Sequence, residues 1–190
     1  MEIIVKGADF SENRIGVVTK KINTAVFNGT SAFASITPIT LSADGDYMEM
    51  VLDIENDTIG KYFACRELWG KPIIGITPTK LSVRLDNQTW AVSNQTISPA
   101  VASNATLKIA YEGTDVKVYI DGTLAFTYDN SSTQASLTFA GFGKYYYEGG
   151  GNPEYWKGSI KKVRTNKAFS GEWAGIDEFD GWSATNVVLV

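Results

Sequence analysis

Histidine is absent from the 190 residues. That removes the commonest general base, the Ser-His and Cys-His nucleophile pairs, and the usual imidazole ligands of zinc and copper. The single cysteine, Cys65, rules out an internal disulfide and a cysteine zinc site. With no histidine to activate it, it reads as a small buried hydrophobe. No apolar run reaches the ~18 residues of a membrane span, so no membrane insertion is expected. The opening Met1-Glu-Ile-Ile-Val-Lys-Gly7 lacks the basic region and long apolar core of a signal peptide, and a soluble chain is expected. Lys and Arg number 17 against 21 Asp and Glu, a net charge of -4 with a pI near 4.9. That balance argues against a nucleic acid or an anionic membrane surface as partner, since both demand clustered cations. No repeat with a period of ~20 to 50 residues is visible.

What is present is enough to fold on its own. Hydrophobic residues make up 44% and aromatics 12%, which fits one large core. We therefore expect a leader over residues 1–21 and a single domain over 22–190. Short runs alternate polar and apolar with period two and are broken by Gly, Asn, Asp, Ser and Thr, which predicts an all-β chain of about fourteen strands. So many strands call for two packed antiparallel sheets rather than one open sheet. The clearest element is Val116-Lys-Val-Tyr-Ile120, Asp121-Gly122, Thr123-Leu-Ala-Phe-Thr-Tyr128, a hairpin whose two-residue loop needs positive backbone dihedrals. Simple alternation puts Val116, Val118 and Ile120 on one face with Thr123, Ala125 and Thr127. Tyr119 then shares the other face with Leu124, Phe126 and Tyr128. A second hairpin is predicted from Lys61 to Cys65 and Ile73 to Ile76 with Trp69-Gly70 at its tip, and a helical turn is predicted around Ala168 to Trp173. Six Asn-x-Ser/Thr triplets, at Asn28, Asn56, Asn87, Asn94, Asn104 and Asn130, read as turn chemistry.

Several segments together resemble the concanavalin A-like lectin/glucanase superfamily, and within it the laminin G-like (LamG) jelly rolls. They are Val26-Phe-Asn-Gly-Thr-Ser-Ala-Phe33, Gly45-Asp-Tyr-Met-Glu-Met-Val-Leu-Asp53, Leu107-Lys-Ile-Ala-Tyr-Glu-Gly113 and the closing Tyr155-Trp-Lys-Gly-Ser-Ile-Lys-Lys-Val-Arg164. The resemblance spans roughly Thr24 to Ile176. The opening Ile3-Ile-Val-Lys-Gly-Ala-Asp-Phe10 is similar to the openings of Bacteroides and prophage surface or tail-type proteins that carry such modules. The resemblance implies a two-sheet jelly roll. Its implied role is glycan recognition on a bacterial surface or phage particle, as part of an oligomer or larger assembly.

Glucanases of this superfamily carry Glu-x-Asp-x-Glu or Glu-x-Asp-x-x-Glu on a long strand, because retaining hydrolysis needs two carboxyl groups ~5 to 5.5 Å apart. Here Glu49-Met-Val-Leu-Asp-Ile-Glu55 places Val51 where the nucleophile belongs, so no catalytic residue is assigned and a non-enzyme is expected. Glu49 and Asp53 remain the looser alternative pair.

The second constellation is aromatic. Phe139, Phe142, Tyr145, Tyr146 and Tyr147 precede Glu148-Gly-Gly-Gly-Asn-Pro153, and Tyr155 and Trp156 follow. Aromatic faces pack on the C–H faces of pyranoses while nearby polar groups meet sugar hydroxyls. The candidate ligand contacts are therefore Tyr145, Tyr146, Tyr147, Asn152, Tyr155 and Trp156, with Trp69 as a separate exposed aromatic. In the alternative, Phe139, Phe142 and Trp156 are core and the tyrosines close the sandwich edge. Trp90, Trp173 and Trp182 read as core or edge cover. Acidic clusters at Asp44 to Asp46, Asp53 to Asp57 and Asp177 to Asp180 offer oxygen ligands for calcium, which many members of the superfamily bind. None has a full calcium-loop spacing, so no cofactor is required and no metal ligand is assigned.

Overall fold

The structure is a computed structural model that describes residues 24–55, 62–65, 72–87, 89–98, 100–101, 103–145, 154–167, 171–173, 183–185 and 188–189. The predicted leader and the Trp69-Gly70 tip lie outside the described residues. Among the described residues every regular element is a strand, and every pairing is antiparallel.

The first sheet holds β1 (Ala25–Asn28), β3 (Tyr47–Ile54), β8 (Ala105–Glu112), β9 (Asp115–Ile120), β10 (Thr123–Asp129), β14 (Lys157–Thr165), β15 (Gly171–Trp173) and β17 (Val188–Leu189). Its order is β10-β9-β8-β3-β14-β1-β17, with β15 also paired to β14. The second sheet holds β2 (Phe33–Leu41), β4 (Tyr62–Cys65), β5 (Pro72–Ile76), β6 (Lys80–Arg84), β7 (Trp90–Thr96), β11 (Leu137–Phe142) and β16 (Ser183–Thr185), in the order β16-β2-β11-β4-β5-β6-β7. A separate two-stranded ribbon pairs β12 (Lys144–Tyr145) with β13 (Glu154–Tyr155). The expected all-β architecture of two antiparallel sheets is what the chain adopts.

Alternation decides which side chains meet between the sheets. On β3, Met48, Met50 and Leu52 are buried while Glu49, Val51 and Asp53 face outward. On β9, Val116, Val118 and Ile120 are buried. They meet Ala34, Ile36, Ile39 and Leu41 of β2 and Leu137 and Phe139 of β11 in one continuous core. Burying a side chain of this size contributes roughly 1.5–3 kcal/mol, so these inward rows dominate the stability of the sandwich.

The β9–β10 hairpin forms as predicted, with Asp121 and Gly122 at φ 48 and 77. Its face assignment needs correction beyond Leu124. A bulge at Ala125 sets Phe126, not Ala125, opposite Val118, and Tyr128 opposite Val116. The extra residue turns the strand over, so Phe126 and Tyr128 join Ala125 against the core while Leu124 stays on the outer face, 50% exposed. Residues 171–173 also depart from expectation. They form β15, a strand paired along β14 through Val163, Arg164 and Thr165, where a helical turn was predicted. The predicted Tyr155 to Arg164 strand is interrupted at Trp156 and divides into β13 and β14. The turn reading of the asparagines holds at Asn28, Asn87, Asn104 and Asn130, whereas Asn94 lies within strand β7 and Asn56 lies outside the described residues. Asn28 Oδ1 accepts the N–H groups of Thr30, Ser31 and Ala32 at 2.9 Å each, Asn87 Oδ1 accepts Thr89 N–H at 2.9 Å, and buried Asn130 brackets Ala135 through its N–H and C=O.

Candidate functional site

Within the aromatic run, Lys144–Tyr145 and Glu154–Tyr155 pair as a two-stranded ribbon. Lys144 lies opposite Tyr155 and Tyr145 opposite Glu154, which brings two of the predicted contacts, Tyr145 and Tyr155, into adjacent strands. Tyr155 is half-buried, and the Lys144 ammonium lies 6.0 Å from its ring and 4.3 Å from that of Phe33. Tyr146, Tyr147, Asn152 and Trp69 lie outside the described residues.

Trp156 does not join this surface. It has 0% exposure, its N–H donates to Gly143 O at 3.0 Å, and its ring sits edge-on to Phe27 (5.7 Å) and Phe63 (5.1 Å). The expectation that it contacts a ligand is corrected by that burial, and Phe139 and Phe142 are core with it. Among the described residues the buried indole Nε1–H meets no acceptor, and the ring is packed between Phe27 and Phe63. Trp90, read as core or edge cover, lies on the edge strand β7 with 37% exposure and the Arg84 guanidinium 5.2 Å from its ring.

Beside the ribbon, at the end of β3, a cleft of about 320 Å³ is lined by Asp53, Ile54, Glu55, Val101 and Ser103. Glu55 ties the two features together. Its N–H donates to Lys157 O at 3.2 Å and its carboxylate accepts the Lys157 ammonium at 2.8 Å, two residues after Tyr155. Asp53 is held by Lys161, by Ser103 Oγ–H and Asn104 N–H at 2.6 Å each, and by Ser159 Oγ–H at 3.3 Å. Burial alone would raise its pKa. The hydrogen bonds from Lys161, Ser103 and Asn104 and the charge of Lys161 outweigh it and bring the group down from 3.8 to about 2. Farther along β3, Glu49 accepts Arg164 Nη1–H at 3.2 Å. Each carboxylate of the predicted motif thus faces a cation of β14. Glu49 and Asp53 stand four residues apart on one face, roughly 13 Å along the strand, beyond either carboxyl spacing that glycoside hydrolysis uses.

The Asp44 to Asp46 turn is at the opposite end of the sandwich. Buried Asp46 (6% exposed) accepts the N–H groups of Ser42 and Ala43 at 2.9 Å each and Lys167 Nζ at 3.1 Å, while Asp44 accepts Gly113 N–H at 2.6 Å. Burial opposes ionisation of Asp46, but these donors prevail and lower its pKa. Both Asp46 oxygens and Asp44 Oδ1 thus accept protein donors. Among the described residues no three Asp, Glu, His or Cys side chains converge as a metal site, and Asp177 to Asp180 lie outside them.

No family model and no curated protein matches the chain. Among solved structures it is similar to a heptameric SAP-like pentraxin from Limulus polyphemus, at 15% identity over 90% of this chain and 96% of that one, with a TM-score of 0.57. Weaker likenesses are to an alginate lyase of polysaccharide lyase family 7 (16% identity, 77% and 63% covered, TM-score 0.31) and to the Crh5 transglycosylase (14%, 83% and 74%, 0.32). At such identities the likeness shows the fold. The class that strand order and pentraxin likeness define is a two-sheet antiparallel β-sandwich, and that sandwich fits the concanavalin A-like type.

Proposed function

We propose that this chain is a non-catalytic, lectin-like carbohydrate-binding module with its binding surface at the end of the sandwich that carries the β12–β13 ribbon. The observation that supports it most is the ribbon itself. Its two strands set Tyr145 and Tyr155 side by side in neighbouring strands and enclose, in sequence, the Tyr- and Gly-rich residues 146–153, and the end of β3 carries a polar cleft. A non-catalytic role is supported by the salt-bridged, widely spaced carboxylates of β3 and by Val51 between them. The laminin G-like resemblance and a place on a bacterial surface or phage particle belong to the same proposal. So does assembly into an oligomer, since shallow sugar stacking gains avidity from several linked sites.

The test is a glycan array screened with calcium and again with a chelator. Saturable binding that falls on Tyr155→Ala or Tyr146→Ala supports the proposal, and loss of that binding with the chelator makes calcium part of it. Silence from folded protein overturns it in favour of an assembly module. That second reading is supported by β7, an edge strand without a charged residue that carries the exposed Trp90. Hydrolysis of a bound glycan that Glu49→Gln abolishes would establish an enzyme instead.

A further inference from the structure

The register of the first sheet lines up a row that no single strand reveals. Arg164 of β14 is opposite Glu49 of β3, Glu49 is opposite Lys108 of β8, Lys108 is opposite Tyr119 of β9, and Tyr119 is opposite Leu124 of β10. Five residues from five adjacent strands thus cross the outer face of the sheet, a span of roughly 19 Å at the usual strand spacing. Tyr47 flanks the row. The Lys108 ammonium stands between two rings, 5.2 Å from Tyr47 and 5.7 Å from Tyr119.

The row is held in place before any ligand arrives. Tyr119 O–H donates to Glu112 Oε1 at 2.6 Å, Lys117 Nζ donates to Glu112 Oε2 at 2.8 Å, and Arg164 Nη1 donates to Glu49 at 3.2 Å. Groups fixed in this way lose little freedom on binding. One end, Leu124 and Tyr119, is apolar and aromatic. The other, Arg164, Glu49 and Lys108, alternates donors and acceptors of opposite charge. That alternation suits hydroxyl groups, which both donate and accept, whereas a polyanion would meet Glu49 and Glu112 in a protein of net charge -4.

We infer that the outer face of the first sheet is a second saccharide-binding surface, distinct from the ribbon end, which takes an extended neutral polysaccharide laid across the strands over Tyr47, Tyr119 and Leu124. Pyranose C–H faces rest on the two rings and on Leu124, and hydroxyls bond to Lys108, Glu49 and Arg164.

Native gels cast with hydroxyethyl cellulose, mixed-linkage β-glucan, xylan, galactomannan or polygalacturonate test this on the full chain. Wild type is retarded by at least one neutral polymer and not by polygalacturonate. The Tyr47→Ala/Tyr119→Ala double variant binds that polymer about tenfold more weakly, as loss of two aromatic contacts implies. Tyr119→Phe, which keeps the ring and loses only the bond to Glu112, retains binding. Thermal melting confirms that each variant is folded. Absence of retardation by every neutral polymer, retardation chiefly by polygalacturonate, or retardation untouched in a folded double variant overturns the inference. If Tyr155→Ala alone abolishes retardation, the ribbon proposal stands and this one falls.

Discussion

Replacing Asp53 by Asn removes one charge from a side chain that receives four donors, and the consequence for stability is large enough to measure. In the folded chain Lys161, Ser103 Oγ–H, Asn104 N–H and Ser159 Oγ–H all point at this carboxylate. Its pKa falls from 3.8 to about 2. Because the folded value lies below the unfolded one, the carboxylate stabilises the fold fully above about pH 4. That contribution is lost as pH falls toward 2, where the folded state also takes up the proton. A tenfold change in proton affinity corresponds to about 1.4 kcal/mol, and partial exposure to solvent trims the result, so about 2 kcal/mol is expected at pH 7. In a domain of this size that is a fall in Tm of about 4–8 °C. Urea unfolding of wild type and Asp53→Asn at pH 7, 4 and 2.5 gives the assay, with the difference between the two proteins as the quantity read. The difference is close to its full value at pH 7 and pH 4 and falls to well under half at pH 2.5. A difference that is the same at all three pH values, or absent at pH 7, would refute the electrostatic account of this site.

Three further substitutions probe the frame of the sandwich. Gly158 adopts φ +153, and a Cβ there would run into the Asp53 carbonyl and the Trp156 ring; Gly158→Ala is expected to cost about 2 kcal/mol or more, read from the urea midpoint. Asn130 is buried, accepts Ala135 N–H at 3.1 Å and donates to Ala135 O at 2.9 Å, so Asn130→Ala is expected to lower stability by about 1–3 kcal/mol. Trp156→Ala leaves a large void against Phe27 and Phe63 and is expected to cost about 3–5 kcal/mol in calorimetric melting, while glycan affinity of the folded fraction stays unchanged. A loss of affinity without a loss of stability would return Trp156 to the binding surface.

What was legible in the sequence is what local chemistry dictates. Asp121-Gly122 names its own turn because few other residue pairs accept positive φ at both loop positions. Met48, Met50 and Leu52 name the inner face of β3 because a strand alternates every residue. The bulge at Ala125 escaped because Leu124, Ala125 and Phe126 are all apolar, so inserting a residue among them leaves the hydrophobic pattern readable in either register. Trp156 was misplaced for a related reason. An aromatic run does not say which member turns inward, and the decision came from Phe27 and Phe63, residues of two other strands that close on it.

The same logic explains why the two proposed surfaces were only half visible. Tyr145 and Tyr155 announce themselves by composition. The outer row of the first sheet does not, because Arg164, Glu49, Lys108, Tyr119 and Leu124 are each unremarkable within their own strands and become neighbours only through four separate inter-strand registers. The partners that lower the Asp53 pKa, Lys161, Ser103 and Asn104, likewise lie 108, 50 and 51 positions away in the chain. In a sandwich whose sheets interleave distant strands, a pattern confined to one strand can locate a carboxylate but not its counter-ion. The counter-ion sets its protonation state: a general acid must exchange its proton near neutral pH. Asp53, held at about 2 beside Lys161, is committed to the ionised form.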